Sequence, residues 1–138
     1  MIVALGVDII EIARIEEAFA RRGARFRDRI FTQTEIDYCE SRGSKFASYA
    51  ARFAAKEAVM KALGTGWGDG VRWRDIEIVR GSGAPSVVLS GRALERFREM
   101  GAVKVHLTLS HTRDIAIAQV VFESWGVFPD TRSIVSRG

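Results

Sequence analysis

The stretch 44–63, Ser44-Lys-Phe-Ala-Ser-Tyr-Ala-Ala-Arg-Phe-Ala-Ala-Lys-Glu-Ala-Val-Met-Lys-Ala-Leu63, constrains this chain more than any other. It reads as one long helix, with Phe46, Ala50, Phe53, Glu57 and Met60 on a single inward-facing row. Glu57 is the anomaly in that row, because burying a lone carboxylate costs several kcal/mol after relaxation unless a cation or several donors meet it. Lys61 lies one turn further on, and a metal ion bridging Glu57 to an acid elsewhere in the chain is the other candidate partner. Lys45, Arg52 and Lys56 form a neighbouring strip that suits a polyanion. An ordinary Glu-Lys pair on a solvated face, with basic residues for solubility, accounts for the same pattern. Both readings stay open at this level.

The rest of the composition narrows the class. At 138 residues with 47% hydrophobic content, the chain is expected to be one globular domain with a real core. No run approaches the length of a membrane span, and the start lacks the basic region of a signal peptide, so no membrane-spanning segment is expected. A single cysteine, Cys39, allows no internal disulfide and fits a cytoplasmic, reducing setting. Cys39 reads as a helix residue, since no histidine stands near it in sequence. The net charge of +4 points to acidic partners without choosing among nucleic acid, acidic protein, phosphorylated small molecule and anionic membrane.

Taken in order, residues 1–8 read as a strand whose apolar run suits cover on both faces. Asp8 ends it, as the N-cap of a following helix or as a metal ligand at the strand's end. A helix over 10–22 turns Ile12, Ile15 and Phe19 inward. Arg14, Arg21 and Arg25 share another face if the helix continues past Gly23, either as a solvated face or as a surface for carboxylate or phosphate. Thr34, with Asp37 three residues on, is expected to cap a short helix through Arg42. After the long helix, Gly64-Thr-Gly-Trp-Gly-Asp-Gly70 begins with a C-capping glycine, and its backbone amides are candidates to line a phosphate. It is not a P-loop, because it follows a helix and lacks the lysine.

The second half is extended. Strands over 75–79 and 86–89 join through Gly81-Ser-Gly-Ala-Pro85, and Ser90 caps an amphipathic helix ending at Gly101. Residues 103–109 alternate as a strand with one buried face, and 115–122 form an apolar central or interface strand. Ser110 and His111 lie in the turn between them and are adjacent, which is poor geometry for a nucleophile and its base, so a serine hydrolase is discounted. Residues 124–138 form a weakly patterned tail in which Trp125, Val127 and Phe128 are expected to dock and 129–138 to be mobile. A helical half followed by strands that must pair with the first strand makes the fold α+β, a long central helix on a mostly antiparallel sheet.

Three segments together carry a family resemblance. Gly6-Val-Asp-Ile-Ile-Glu-Ile-Ala-Arg-Ile15, Phe53-Ala-Ala-Lys-Glu-Ala-Val-Met-Lys-Ala-Leu-Gly-Thr-Gly66 and Leu109-Ser-His-Thr112 resemble the holo-acyl-carrier-protein synthases, the small phosphopantetheinyl transferases. The resemblance spans about residues 2–123. It implies transfer of 4′-phosphopantetheine from coenzyme A to a serine of apo acyl carrier protein, with release of adenosine 3′,5′-bisphosphate, in fatty acid biosynthesis. It also implies magnesium and a homotrimer with sites at the subunit boundaries. Asp8 and Glu57 match the family's metal ligands, and Lys61 matches a catalytic lysine near the pyrophosphate. Arg52, Lys56, Gly64, Pro85, Ser110, His111 and Thr112 fall at positions bordering the cofactor. Arg14 and Arg21 fall where basic residues of the first helix face the acidic carrier, and Arg25 joins that surface through the helical face it shares with them. Ala84 stands where the family usually has lysine, and the resemblance does not reach the tail. Competing readings are a basic nucleic-acid binding module, which lacks aromatics interleaved with the arginine face, and a magnesium-dependent nucleotide phosphohydrolase using the same acids.

Overall fold

The computed structural model describes residues 1–126, and the expectations for 127–138 lie outside the described residues. Five helices and five strands follow in the order β1 (Ile2–Glu11), α1 (Ile12–Arg22), α2 (Ala24–Ile30), α3 (Gln33–Glu40), α4 (Lys45–Leu63), β2 (Ile76–Arg80), β3 (Pro85–Leu89), α5 (Gly91–Glu99), β4 (Lys104–His111) and β5 (Ile115–Glu123). The α+β class is as expected. The strands form two antiparallel sheets, one in the order β1-β5-β4 and the other a β2-β3 hairpin. The first strand joins the late ones through β5, with Gly6 opposite Val120 and Asp8 opposite Ala118.

Helix α4 is the common wall of two cores. Its C-terminal half packs with Ile76, Ile78, Phe97, Val120 and Phe122. Its N-terminal half packs with Ile15, Ile30, Phe31 and Ile36 from the first three helices. Alanines at 50, 51, 54, 55, 58 and 62 are buried and leave room for close neighbours on almost every side. The tightest approach is at Gly6, where an added Cβ would sit 1.9 Å from the Ala58 carbonyl oxygen. No side chain fits there.

This nearly complete burial reverses one expectation. Two of the three basic residues in the α4 strip do not face solvent: Lys56 is fully buried and Arg52 is 4% exposed, while Lys45 stays partly exposed. Lys56 Nζ pairs with Glu35 Oε1 at 2.8 Å and donates to the carbonyls of Trp73 and Ile76. Glu35 in turn accepts from the backbone amides of Thr32 and Ile78. Lys45 is held by Glu40 at 3.6 Å.

Several local boundaries also differ. β1 runs on to Glu11, so Asp8 lies inside a strand and is neither its end nor a helix cap; α1 starts at Ile12 with no side-chain cap. The apolar run of β1 is covered on one face only, with Leu5, Val7 and Ile9 exposed at 60%, 51% and 61%. Gly23, at φ 54°, breaks the first helix, so Arg25 belongs to α2. Helix α3 is capped by Thr32 rather than Thr34, in a capping box with Glu35, because that glutamate is the one also drawn inward by Lys56. It ends at Glu40 rather than Arg42. Ser90 is at the N-cap of α5 but its side chain makes no capping bond, its Oγ donating instead to the Asp75 carbonyl. Trp125 does not dock, being largely exposed. Cys39 is buried as expected, and desolvation pushes its thiol up to about 12.

Candidate active site

Alternation along β1 sends Gly6, Asp8 and Ile10 toward α4 and Leu5, Val7 and Ile9 away from it. Asp8 therefore meets the last turns of α4, where Lys61 reaches back across the strand. Lys61 Nζ lies 3.0 Å from Asp8 Oδ1 and donates to the Val7 carbonyl at 2.9 Å. Glu57 is one turn before Lys61. Its carboxyl is held above the usual carboxylate range, chiefly by desolvation; the nearby Asp8 charge adds to this, while the Trp67 hydrogen bond and Lys61 oppose it. The structure thus brings together Asp8, Glu57 and Lys61 from a strand and a helix far apart in sequence.

The glycine-rich loop closes one side of this cluster. Gly64 caps α4 in the left-handed region, at φ 75°. Arg96 Nε donates to the Leu63 carbonyl at 3.1 Å, and Arg92 binds Asp69 through both its carbonyl and its carboxylate. So pinned, the loop places Trp67 with its Nε1 donating to Glu57 Oε1 at 3.3 Å. The Trp67 ring stacks on Trp73 at 3.5 Å between centroids, and Trp73 on Phe53 at 5.0 Å. Trp67 read in the sequence only as part of the glycine-rich stretch 64–70. A tryptophan among six small or acidic neighbours was the available signal.

Arg52, Ser110 and His111 converge elsewhere. They border a small cavity of about 140 Å³ together with Tyr38, Arg42 and Arg80. Arg52 Cζ lies 4.0 Å over the Tyr38 ring, and its buried Nε has no hydrogen-bond partner among the described residues. That is an unsatisfied cationic donor beside a cavity, an arrangement fitted to an anion. Arg42 and Arg80 were not anticipated, since neither lies in a recognisable motif. Pro85 is opposite Arg80 at the end of the β2-β3 hairpin. Thr112 uses its Oγ1 to accept from the amides of Asp114 and Ile115 and shapes the turn. Lys56 is absent from both sites, because its ammonium is already occupied in the core; its assignment to the cofactor is corrected on that ground.

Asp8 and the Ser110–His111 strand end are not in one cluster within the chain. Strand β5 separates β1 from β4, about 10 Å across the sheet. Ser110 shares a register row with Ile117 and Ile9, on the face turned away from α4. The arginines of the first two helices form a third feature. Arg21, Arg22, Arg25 and Arg29 rim an open groove of about 750 Å³ whose apolar wall includes Phe26, Phe53 and Trp73. Arg14 is exposed but is not among the groove's lining residues.

Comparison with known proteins places these features in a family. The family described as the 4′-phosphopantetheinyl transferase superfamily matches residues 4–120. The holo-[acyl-carrier-protein] synthase of Anaeromyxobacter sp. (strain K) is 48% identical over 129 residues, covering 91% of this chain and 99% of that protein. The crystal structure of holo-[acyl-carrier-protein] synthase from Neisseria meningitidis superimposes with a TM-score of 0.81 at 36% identity, covering 90% of this chain and 100% of that one. The Helicobacter pylori holo-[acyl-carrier-protein] synthase in complex with coenzyme A gives a TM-score of 0.76 at 35% identity, covering 86% of this chain and 99% of that one.

Proposed function

The chain belongs to the 4′-phosphopantetheinyl transferase superfamily, and from that premise we propose how its own residues carry out the transfer. The reaction moves 4′-phosphopantetheine from coenzyme A to a serine of apo acyl carrier protein, as in the holo-[acyl-carrier-protein] synthases it resembles. The serine oxygen bonds to the phosphorus bearing the pantetheine, and the bridging P–O bond breaks. The bridging oxygen leaves with adenosine 3′,5′-bisphosphate, and the serine proton leaves to a base.

The observation that carries the reading is the meeting of Asp8, Glu57 and Lys61. Two carboxylates near each other in a partly desolvated place need cations, and Lys61 neutralises only one of the two charges. Among the described residues no group of three His, Cys, Asp or Glu side chains gathers, so the protein offers no complete metal cage. Magnesium fits that donor set, since it typically takes one or two carboxylates and leaves the rest of its octahedron to waters and substrate phosphates. Asp8 and Glu57 would hold it. When bound there, the ion supplies charge neutralisation at the pyrophosphate. Lys61, on the same spot, stabilises the charge that grows on the departing bisphosphate.

Arg52 and the turn at Ser110, His111 and Thr112 bind the nucleotide end of coenzyme A, with Arg42 and Arg80 joining them. The Arg80 guanidinium lies near the hairpin whose Ala84 lacks the family's lysine, and it supplies positive charge in that quarter. Ser110 faces away from α4 whereas Asp8 faces it, so one coenzyme A would reach both across a boundary between chains. This favours a homotrimer, in which the exposed Leu5, Val7, Ile9 and Ile117 are covered. Arg21 and Arg25 receive the acidic carrier at the open groove, and Arg14, exposed on the same helix as Arg21, adds positive charge outside it.

The deciding experiment mixes the protein with apo carrier, coenzyme A and magnesium and weighs the carrier by intact mass. A gain of one phosphopantetheine is expected, and Asp8→Ala or Glu57→Ala should lose it while staying folded. Release of free phosphopantetheine with the carrier unchanged would make the protein a hydrolase instead.

A further inference from the structure

Resting on the reading that Glu57 is a metal ligand, we infer that Trp67 is its positioning residue. The indole N–H holds Glu57 Oε1, so that the carboxylate offers a cation the single oxygen Oε2. No hydrogen bond from the described residues reaches Oε2. The indole is fixed from behind by its stack on Trp73, which lies against Phe53, one turn before Glu57 on α4. The ring stack thus leaves the helix at Phe53 and returns to it at Glu57. At the loop's other end, Arg92 ties Asp69 to α5 through contacts at 3.2 Å and 2.6 Å.

Asp8 is treated in the same way. Lys61 occupies Oδ1, and Oδ2 receives no hydrogen bond from the described residues. Each carboxylate therefore has one engaged oxygen and one open one. Groups that bond to metal ligands from outside set the ligand's orientation. One-oxygen ligation suits the compact octahedron of magnesium, whereas calcium readily takes both oxygens of a carboxylate at longer distances. Trp67 is therefore a determinant of metal choice, acting through Glu57.

The test reads binding rather than turnover. The full chain, with coenzyme A held constant, is titrated with Mg²⁺ or Ca²⁺ while its melting temperature is followed. Trp67→Phe keeps a ring on Trp73 and removes the N–H. It should raise the Mg²⁺ concentration needed for half-stabilisation by about tenfold and leave the Ca²⁺ value within about threefold. An equal shift for both ions, or no shift, overturns the inference. Glu57→Gln separates the two levels. If it responds to Mg²⁺ like the wild type, the ligand assignment fails and the inference falls with it. If it is unresponsive while Trp67→Phe is unchanged, only the positioning role falls. Should Trp67→Phe not fold, the wild type labelled with ¹⁵N-tryptophan serves, its indole signals assigned with Trp73→Phe and Trp125→Phe. The Trp67 N–H must move on Mg²⁺ addition more than that of Trp73, and a stationary signal overturns the inference.

Discussion

Lys56 Nζ lies 2.8 Å from Glu35 Oε1, and neither side chain has any exposed surface. Burial holds the Lys56 ammonium below its usual range, against the opposing pull of Glu35. Removing one partner, as Lys56→Met or Glu35→Leu, is expected to destabilise by about 3–5 kcal/mol because the other charge is left uncompensated. Replacing both should recover part of that loss. The amides of Thr32 and Ile78 would remain unpaired, at about 1–3 kcal/mol each. Urea unfolding of the three variants measures the cycle; single variants within about 1 kcal/mol of wild type would deny the pair its structural role.

Glu57 gives the metal-free protein a pH signature. Its raised folded pKa means the native state binds this proton more tightly than the unfolded chain does. The associated stability is present at low pH, below the ordinary carboxylate value, and is lost as pH rises through the folded value. Glu57→Gln removes that loss. In chelator, its melting temperature should gain on wild type between pH 4 and pH 7, roughly the span from an ordinary carboxylate to neutrality. A constant difference across that range would mean Glu57 is not held above its usual value.

The arginine groove separates carrier binding from cofactor binding. Arg21→Glu with Arg25→Glu should raise the KM for carrier protein by about tenfold or more and leave the KM for coenzyme A nearly unchanged. Arg14→Glu should do less, since it lies outside the groove. Added salt should weaken the wild type's carrier KM more than the double variant's. Equal damage to both KM values in steady-state kinetics would move these arginines into the cofactor site.

The outward face of β1 and β5 predicts assembly. Val7→Lys or Ile117→Lys places a charge among Leu5, Ile9 and Val121 on that face. Each is expected to give a monomer by light scattering, with transfer lost and the circular dichroism unchanged. A wild-type monomer at working concentration would refute the trimer outright.

Much of this was legible in the sequence because period and spacing are local properties. The span of α4 and the β2-β3 hairpin lie in short strings, and so does each of the two separate motifs that single out Asp8 and Glu57. What was not legible depended on burial. The strip Lys45, Arg52 and Lys56 reads as a polyanion site or a solvated face until Glu35, from another helix, is seen to meet Lys56. Two candidate caps, Thr32 and Thr34, each have an acid three residues on, and only the tertiary role of Glu35 decides between them. Asp8 looked like a strand's end because a carboxylate rarely interrupts an apolar run. Lys61, more than fifty residues away, is what lets the strand continue through it.

Gly6 has a consequence of another kind. It carries no side chain to offer a substrate or an ion, yet its bare backbone lets β1 lie against the carbonyl of Ala58. Asp8 is two residues along that strand, and Glu57 and Lys61 flank Ala58 on the helix. An alanine at position 6 would wedge the two elements apart and carry Asp8 off with the strand. In a saturation screen for activity, this position should tolerate as little as any acid in the site, and the lesion would be one methyl group too many.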